Sequence, residues 1–175
     1  MMTAQDRTLY FVLLRAFDRM SAALTRNNLS PPKQVPKFLD IAWKVLGEDP
    51  PSKVSTSLME EVFDAHIVDE QDAGSEEILL NMYLYALSDF CMYFESGESG
   101  SLEAAKTAIL DFYDFLVSQR YLADRKGSQA AVLAEADEDA IKNDPELSAE
   151  ISAQEADRMR DHLSLFSLRD AETGA

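Results

Sequence analysis

From Ser75 to Glu95 the chain is apolar nearly all the way round a helix, with Ile78, Leu79, Leu80, Met82, Tyr83, Leu84, Leu87, Phe90, Met92 and Phe94 leaving no wide polar face. An amphipathic surface helix shows one apolar stripe; a helix without a polar side needs neighbours on several sides. Ser75 is a suitable N-cap, and Glu76 and Glu77 suit the positive end of the helix dipole. The most apolar part, Ile78 to Phe94, still contains Asn81, Ser88 and Asp89, and is too short and too polar to span a bilayer. The sequence therefore predicts the central helix of a bundle, or one also buried at a subunit interface.

The rest of the chain supplies its partners. Leu9, Tyr10, Leu13, Leu14, Phe17, Met20 and Leu24 recur at three- and four-residue spacing and predict a first helix from about Asp6 to Asn27. Arg7, Arg15, Asp18 and Arg19 fall on its other face, and Ser30-Pro31-Pro32 ends it. A second helix opens at about Pro36 and stops at Gly47. A third runs from a Ser52 cap to about Ile67, with Val54, Leu58, Val62 and Phe63 inward. After the break at Gly97 to Gly100, Ser101 caps a fifth helix to about Leu122, with a stripe of Ala105, Ile109, Phe112, Tyr113, Leu116 and Val117.

Beyond Lys126-Gly127 the chain is more polar. Ser128 to Ala136 reads as helical, Asp137 to Lys142 as a short helix, and Pro145 to about Leu168 as a last helix carrying Leu147, Ile151, Met159, Leu163 and Phe166. The expectation is an all-α, single-domain bundle of about six to seven helices around the apolar helix at 75–95. Core helices occupy about 6–122 of a single domain spanning 1–175, and a more acidic helical segment occupies about 128–168. At 175 residues, 46% hydrophobic, the chain is long enough to fold on its own core. Cys91 is the only cysteine, so no internal disulfide forms, and nothing at the N-terminus resembles a signal peptide. These features predict a cytoplasmic protein.

Net charge is −16, with 32 acidic against 16 basic residues. That field repels phosphate backbones and anionic lipid surfaces, which argues against direct nucleic-acid binding and membrane binding. It is compatible with simple solubility, with a basic protein partner, or with mimicry of nucleic acid.

Catalytic constellations are missing from the sequence. A di-iron bundle needs Glu-x-x-His pairs, and neither His66 nor His162 has Glu three residues before it. Those two histidines and Cys91 are too few for zinc. There is no Gly-x-Ser-x-Gly elbow and no glycine-rich phosphate loop. No catalytic, cofactor or metal residue is assigned, and no cofactor is expected. Asp89 is the one residue out of keeping with its surroundings, because an ionised carboxylate among apolar side chains needs a partner or water. It is either a salt-bridged or wetted edge, or the polar floor of a pocket lined by the surplus aromatics Tyr85, Tyr93 and Tyr113.

Several segments resemble the YjaG-like family of uncharacterised bacterial proteins. They are Phe11-Val12-Leu13 leading to Phe17-Asp18-Arg19-Met20, Phe38-Leu39-Asp40-Ile41-Ala42-Trp43-Lys44-Val45-Leu46, the helix end near Ser96-Gly97, Leu102-Glu103-Ala104-Ala105, and the run from Asp137 to Pro145. The resemblance covers nearly the full length. It departs between about Thr25 and Val35, where Ser30-Pro31-Pro32 stands in place of an aromatic-bearing stretch. It implies an all-helical bacterial cytoplasmic protein and no particular activity. Three functions stay open: a non-enzymatic interaction or structural protein able to form a homodimer through the apolar surplus of the fourth and fifth helices, an acidic module for a basic partner, and a small-molecule binder or enzyme with a pocket near Asp89.

Overall fold

A computed structural model describes residues 3–48, 54–124 and 135–160. Among these the regular structure is entirely helical: α1 (Ala4–Arg26), α2 (Gln34–Leu46), α3 (Ser57–His66), α4 (Ser75–Ser96), α5 (Ser99–Asp124), α6 (Glu135–Lys142) and α7 (Pro145–Arg158).

α1 is the most deeply buried element. Tyr10, Leu13, Leu14, Phe17, Met20 and Leu24 are fully enclosed, as their spacing predicts. Its N-terminus is fixed by a capping box, in which Thr3 Oγ1 accepts from the Asp6 amide and the Asp6 carboxylate accepts from the Thr3 amide. The other oxygen of Asp6 accepts from the Ser99 hydroxyl, which ties the start of α1 to the start of α5. Burial raises the pKa of this carboxyl, but the bonds from Ser99 and Thr3 outweigh it and hold the group below its ordinary value.

α4 packs along α5 as an antiparallel hairpin and against α1 through aromatic rings. Tyr10 and Phe90 have centroids 5.0 Å apart, Phe17 and Phe90 5.4 Å, and Tyr10 and Phe94 5.6 Å, in tilted and edge-on geometries that aromatic pairs favour. The Tyr10 hydroxyl donates to the Ala42 carbonyl at 2.8 Å and brings α2 into the same cluster. On its other flank α4 holds the segment after α3. Buried Asn81 accepts from the Val68 amide at 3.1 Å and donates to the Val68 carbonyl at 2.8 Å, so one amide side chain satisfies both backbone groups of Val68. The apolar helix thus has neighbours on several sides, as its composition requires, but one edge stays open.

Boundaries differ from the sequence reading in four places. α2 begins at Gln34, so Pro36 lies inside its first turn rather than opening it. Residues 54–56 are not helical and α3 starts at Ser57. In that register Met59 is buried and Leu58 is exposed, although the sequence placed Leu58 inward; the Ser52 cap lies outside the described residues. Gly74, not Ser75, is the N-cap of α4, and its amide donates to Glu77. The α4–α5 turn is shorter than Gly97 to Gly100, because only Gly97, at φ 70°, adopts the left-handed conformation and α5 begins at Ser99.

The largest correction concerns α7. Its expected stripe included Ile151 and Met159, which are exposed, Met159 by 90%. The buried positions are Leu147, Glu150, Gln154 and Asp157. This face is inward because it meets an arginine, not an oily surface. Leu163 and Phe166 of the expected stripe, and most of 128–136, lie outside the described residues.

Candidate functional site

Arg19, Arg26 and Arg120 reach α7 from two helices. Arg19 donates from Nε and Nη2 to the two oxygens of Glu150 at 2.7 and 3.0 Å, and from Nη1 to Asp157 at 2.7 Å. Gln154 Nε2 donates to Glu150 at 2.9 Å and completes a polar core under α7. Burial disfavours the charged guanidinium, but Glu150 and Asp157 prevail and push its pKa above the already high ordinary value, so it stays charged at any working pH.

One turn further along, Arg26 Nη2 and Arg120 Nη1 converge on opposite oxygens of Glu146 at 2.9 and 3.0 Å. Arg120 Nη2 also donates to Asp144 at 2.8 Å. Asp144 is the N-cap of α7 and accepts from the Glu146 amide, while Pro145 occupies the first turn, where its missing N–H has no partner to lose. Capping fixes Glu146 where the two arginines meet. Part of the acidity of the chain is therefore matched internally by its own arginines.

The Arg26–Glu146 pair stands between two clefts. One, of about 450 Å³, lies among the C-terminal ends of α1 and α5 and the N-terminal ends of α4 and α7. Arg26, Arg120 and Glu146 line it with the apolar side chains of Leu29, Leu79, Phe115 and Leu116. Ser75 and Gln119, hydrogen-bonded to each other at 2.9 Å, close its α4–α5 side. The other, of about 300 Å³, runs beneath α7 between Arg19, Tyr113 and the small side chains Ala22, Ala149 and Ala153.

The residues singled out in the sequence are dispersed. Tyr113 is buried beside Phe112 and faces the second cleft; burial and Glu150 push its hydroxyl pKa up, partly offset by Arg19 and Arg26. Tyr93 points inward, with its ring centroid 6.5 Å from that of Tyr10; burial, then Asp6, pushes its hydroxyl up. Tyr85 and Asp89 lie one turn apart on the open edge of α4. Tyr85 is exposed, near Glu70 and Asp69. Asp89 is half-buried, has no hydrogen bond or ion pair among the described residues, and lines neither cleft; burial alone raises its carboxyl above the ordinary range.

Other candidates for chemistry are equally placed by burial. Cys91 is buried, and burial, then Glu95, pushes its thiol up, so the reactive thiolate is scarce at neutral pH. His66 is exposed at the end of α3, and His162 lies outside the described residues. Among the described residues no three His, Cys, Asp or Glu side chains gather as metal ligands, and no helix is long and apolar enough to cross a membrane.

Sequence reasoning missed the arginine sites. Arg19 and Arg26 are seven apart on α1, hence on one face, and Glu146, Glu150 and Asp157 repeat at four- and seven-residue intervals on α7. That pairing of a basic with an acidic stripe was a readable signal; Arg120 carried none. No family model, curated protein or solved structure matches the chain.

Proposed function

We propose that this chain is a cytoplasmic, non-enzymatic helical interaction protein that pairs with a second copy of itself through the open edge of the α4–α5 hairpin. The observation that carries the reading is the stripe Ile78, Met82, Tyr85, Asp89 and Met92, at alternating four- and three-residue intervals. All five keep solvent exposure, Tyr85 at 40% and Met92 at 51%. That interval is the one a helix uses to pack along another helix. Aromatic residues and methionine are enriched where protein surfaces meet. Because a two-fold axis sets one patch against its own copy, the same stripe serves both partners.

Sedimentation velocity across the micromolar range tests this. The native chain is expected to dimerise, with a melting temperature that rises with concentration, and Met92→Lys to remain monomeric with unchanged helical content and a melting temperature independent of concentration. A native chain that stays monomeric at high micromolar concentration overturns it. On the same footing we propose kinship with the YjaG-like family. Phe11, Phe17, Phe38 and Trp43 of the quoted segments are all buried, which suits motifs that specify packing. A solved structure of a family member with a different helix order would refute that kinship.

A further inference from the structure

We infer that the larger cleft binds a small amphipathic carboxylic acid, at a site separate from the dimerisation face. The geometry is that of a carboxylate receptor with an apolar chamber. Two guanidiniums from helices far apart in sequence, Arg26 and Arg120, converge on one carboxylate, each on a different oxygen at 2.9 and 3.0 Å. Here that carboxylate is the protein's own Glu146. A guanidinium offers five N–H donors, so most of this capacity is unfilled: Arg26 keeps Nε and Nη1, and Arg120 keeps Nε, without a partner among the described residues. Both side chains stay accessible, at 61% and 49% exposure.

Behind these donors the wall is apolar. Leu29, Leu79 and Phe115 line a space of about 450 Å³, within the range of small-ligand sites. Half-buried Leu29 and Phe115 pack against the core and hold that wall in place. Glu76 is also in the wall. Together with Glu146, and with Asp144 already held by Arg120 Nη2, it offsets both arginines, which favours a ligand with a single charge, seated in place of Glu146, over a dianionic phosphate. The acidity of the whole chain does not forbid this, since charges beyond about 8 Å are screened at physiological salt.

Isothermal titration with octanoate tests the inference, with 1-octanol and octylammonium as matched probes. Octanoate is expected to bind, and the neutral and cationic analogues to bind at least about tenfold more weakly, because hydrogen bonds to a charged group are the strong ones. Arg26→Ala is expected to weaken octanoate by about tenfold. Glu146→Gln, which removes the competing charge and keeps the cap at Asp144, is expected to tighten it several-fold. A merely structural role for Glu146 would not give a tighter complex. Met92→Lys should leave the titration unchanged. Equal binding of octanol and octanoate, no binding of octanoate, or weaker binding to Glu146→Gln would each overturn the inference.

Discussion

Arg19→Ala removes the cation on which α7 docks and leaves two carboxylates behind. Glu150 and Asp157 are each 3% exposed. Removing one partner of a buried charge pair costs about 3–5 kcal/mol, most of it from the uncompensated charge that remains. Arg19 keeps 26% of its side chain in water, so the lower end, about 3 kcal/mol, applies. What else holds the helix is modest, since the exposed Arg26 and Arg120 pairs to Glu146 and Asp144 contribute about 0–1 kcal/mol each. Leu147 is its one buried large apolar side chain, worth about 1.5–3 kcal/mol. The loss is therefore comparable with the whole docking energy, and the variant is expected to release α7 rather than melt the bundle. A free helix of this length is marginal in water, so released α7 also loses its helicity. Hydrogen exchange read by mass spectrometry should show peptides covering Pro145–Arg158 losing protection while α1 and α4 keep theirs. Replacing the network with apolar groups, Arg19→Met with Glu150→Met and Asp157→Leu, should restore protection, because such swaps are often neutral or stabilising. Unchanged protection in Arg19→Ala, or a cost below about 1 kcal/mol as for an exposed ion pair, would refute the reasoning. So would a triple variant no better protected than the single one.

Two further outcomes follow from other parts of the fold. The Asp89 carboxyl has its pKa raised by burial, so its protonated form is the one the folded state favours. Its contribution to stability is present below the unfolded value and is lost as pH rises through the folded one. Asp89→Asn is thus expected to melt higher than the native chain at pH 7, with the difference shrinking toward pH 4; an unchanged or lower melting temperature at pH 7 would contradict this. Gly97→Ala places a side chain at φ 70° with nothing within 4 Å to clash, so its cost is backbone strain alone, about 1–2 kcal/mol. That corresponds to a fall of roughly 2–8 °C in melting temperature for a chain of this size, and a thermal melt showing no fall would argue against the left-handed turn.

What could be read in the sequence was whatever hydrophobic periodicity writes into it. α1 matches its stripe residue by residue, and α5 all of its own but half-buried Leu116, because their partners are apolar and any apolar neighbour satisfies the pattern. Of the stripe expected for α3, Val54 and Val62 are buried as their spacing predicts, and Leu58 alone is misplaced, with Met59 inward instead, since 54–56 does not join the helix. α7 was misread because Ile151 and Met159 look like core, while Glu150, Gln154 and Asp157 look like surface. Their burial follows from Arg19, more than 130 residues away, and a periodicity window does not reach that far. The larger cleft is harder still. It is assembled from the ends of four helices, so no local segment carries its signature, and Asp89 drew notice instead because its oddity is local.

The polar docking of α7 sets how that helix would respond to heat and denaturant. Heat capacity rises when apolar surface meets water and falls when polar surface does. Releasing α7 uncovers Glu150, Gln154, Asp157 and several alanines alongside a single leucine. Opening also bares the Tyr113 and Ala22 surface beneath it, so its urea dependence follows the area of both faces, while its heat-capacity change per unit area is smaller than for parting two apolar faces. Salt therefore acts first on the exposed Arg26 and Arg120 pairs at the start of α7, whereas the buried carboxylates Glu150 and Asp157 are screened much less.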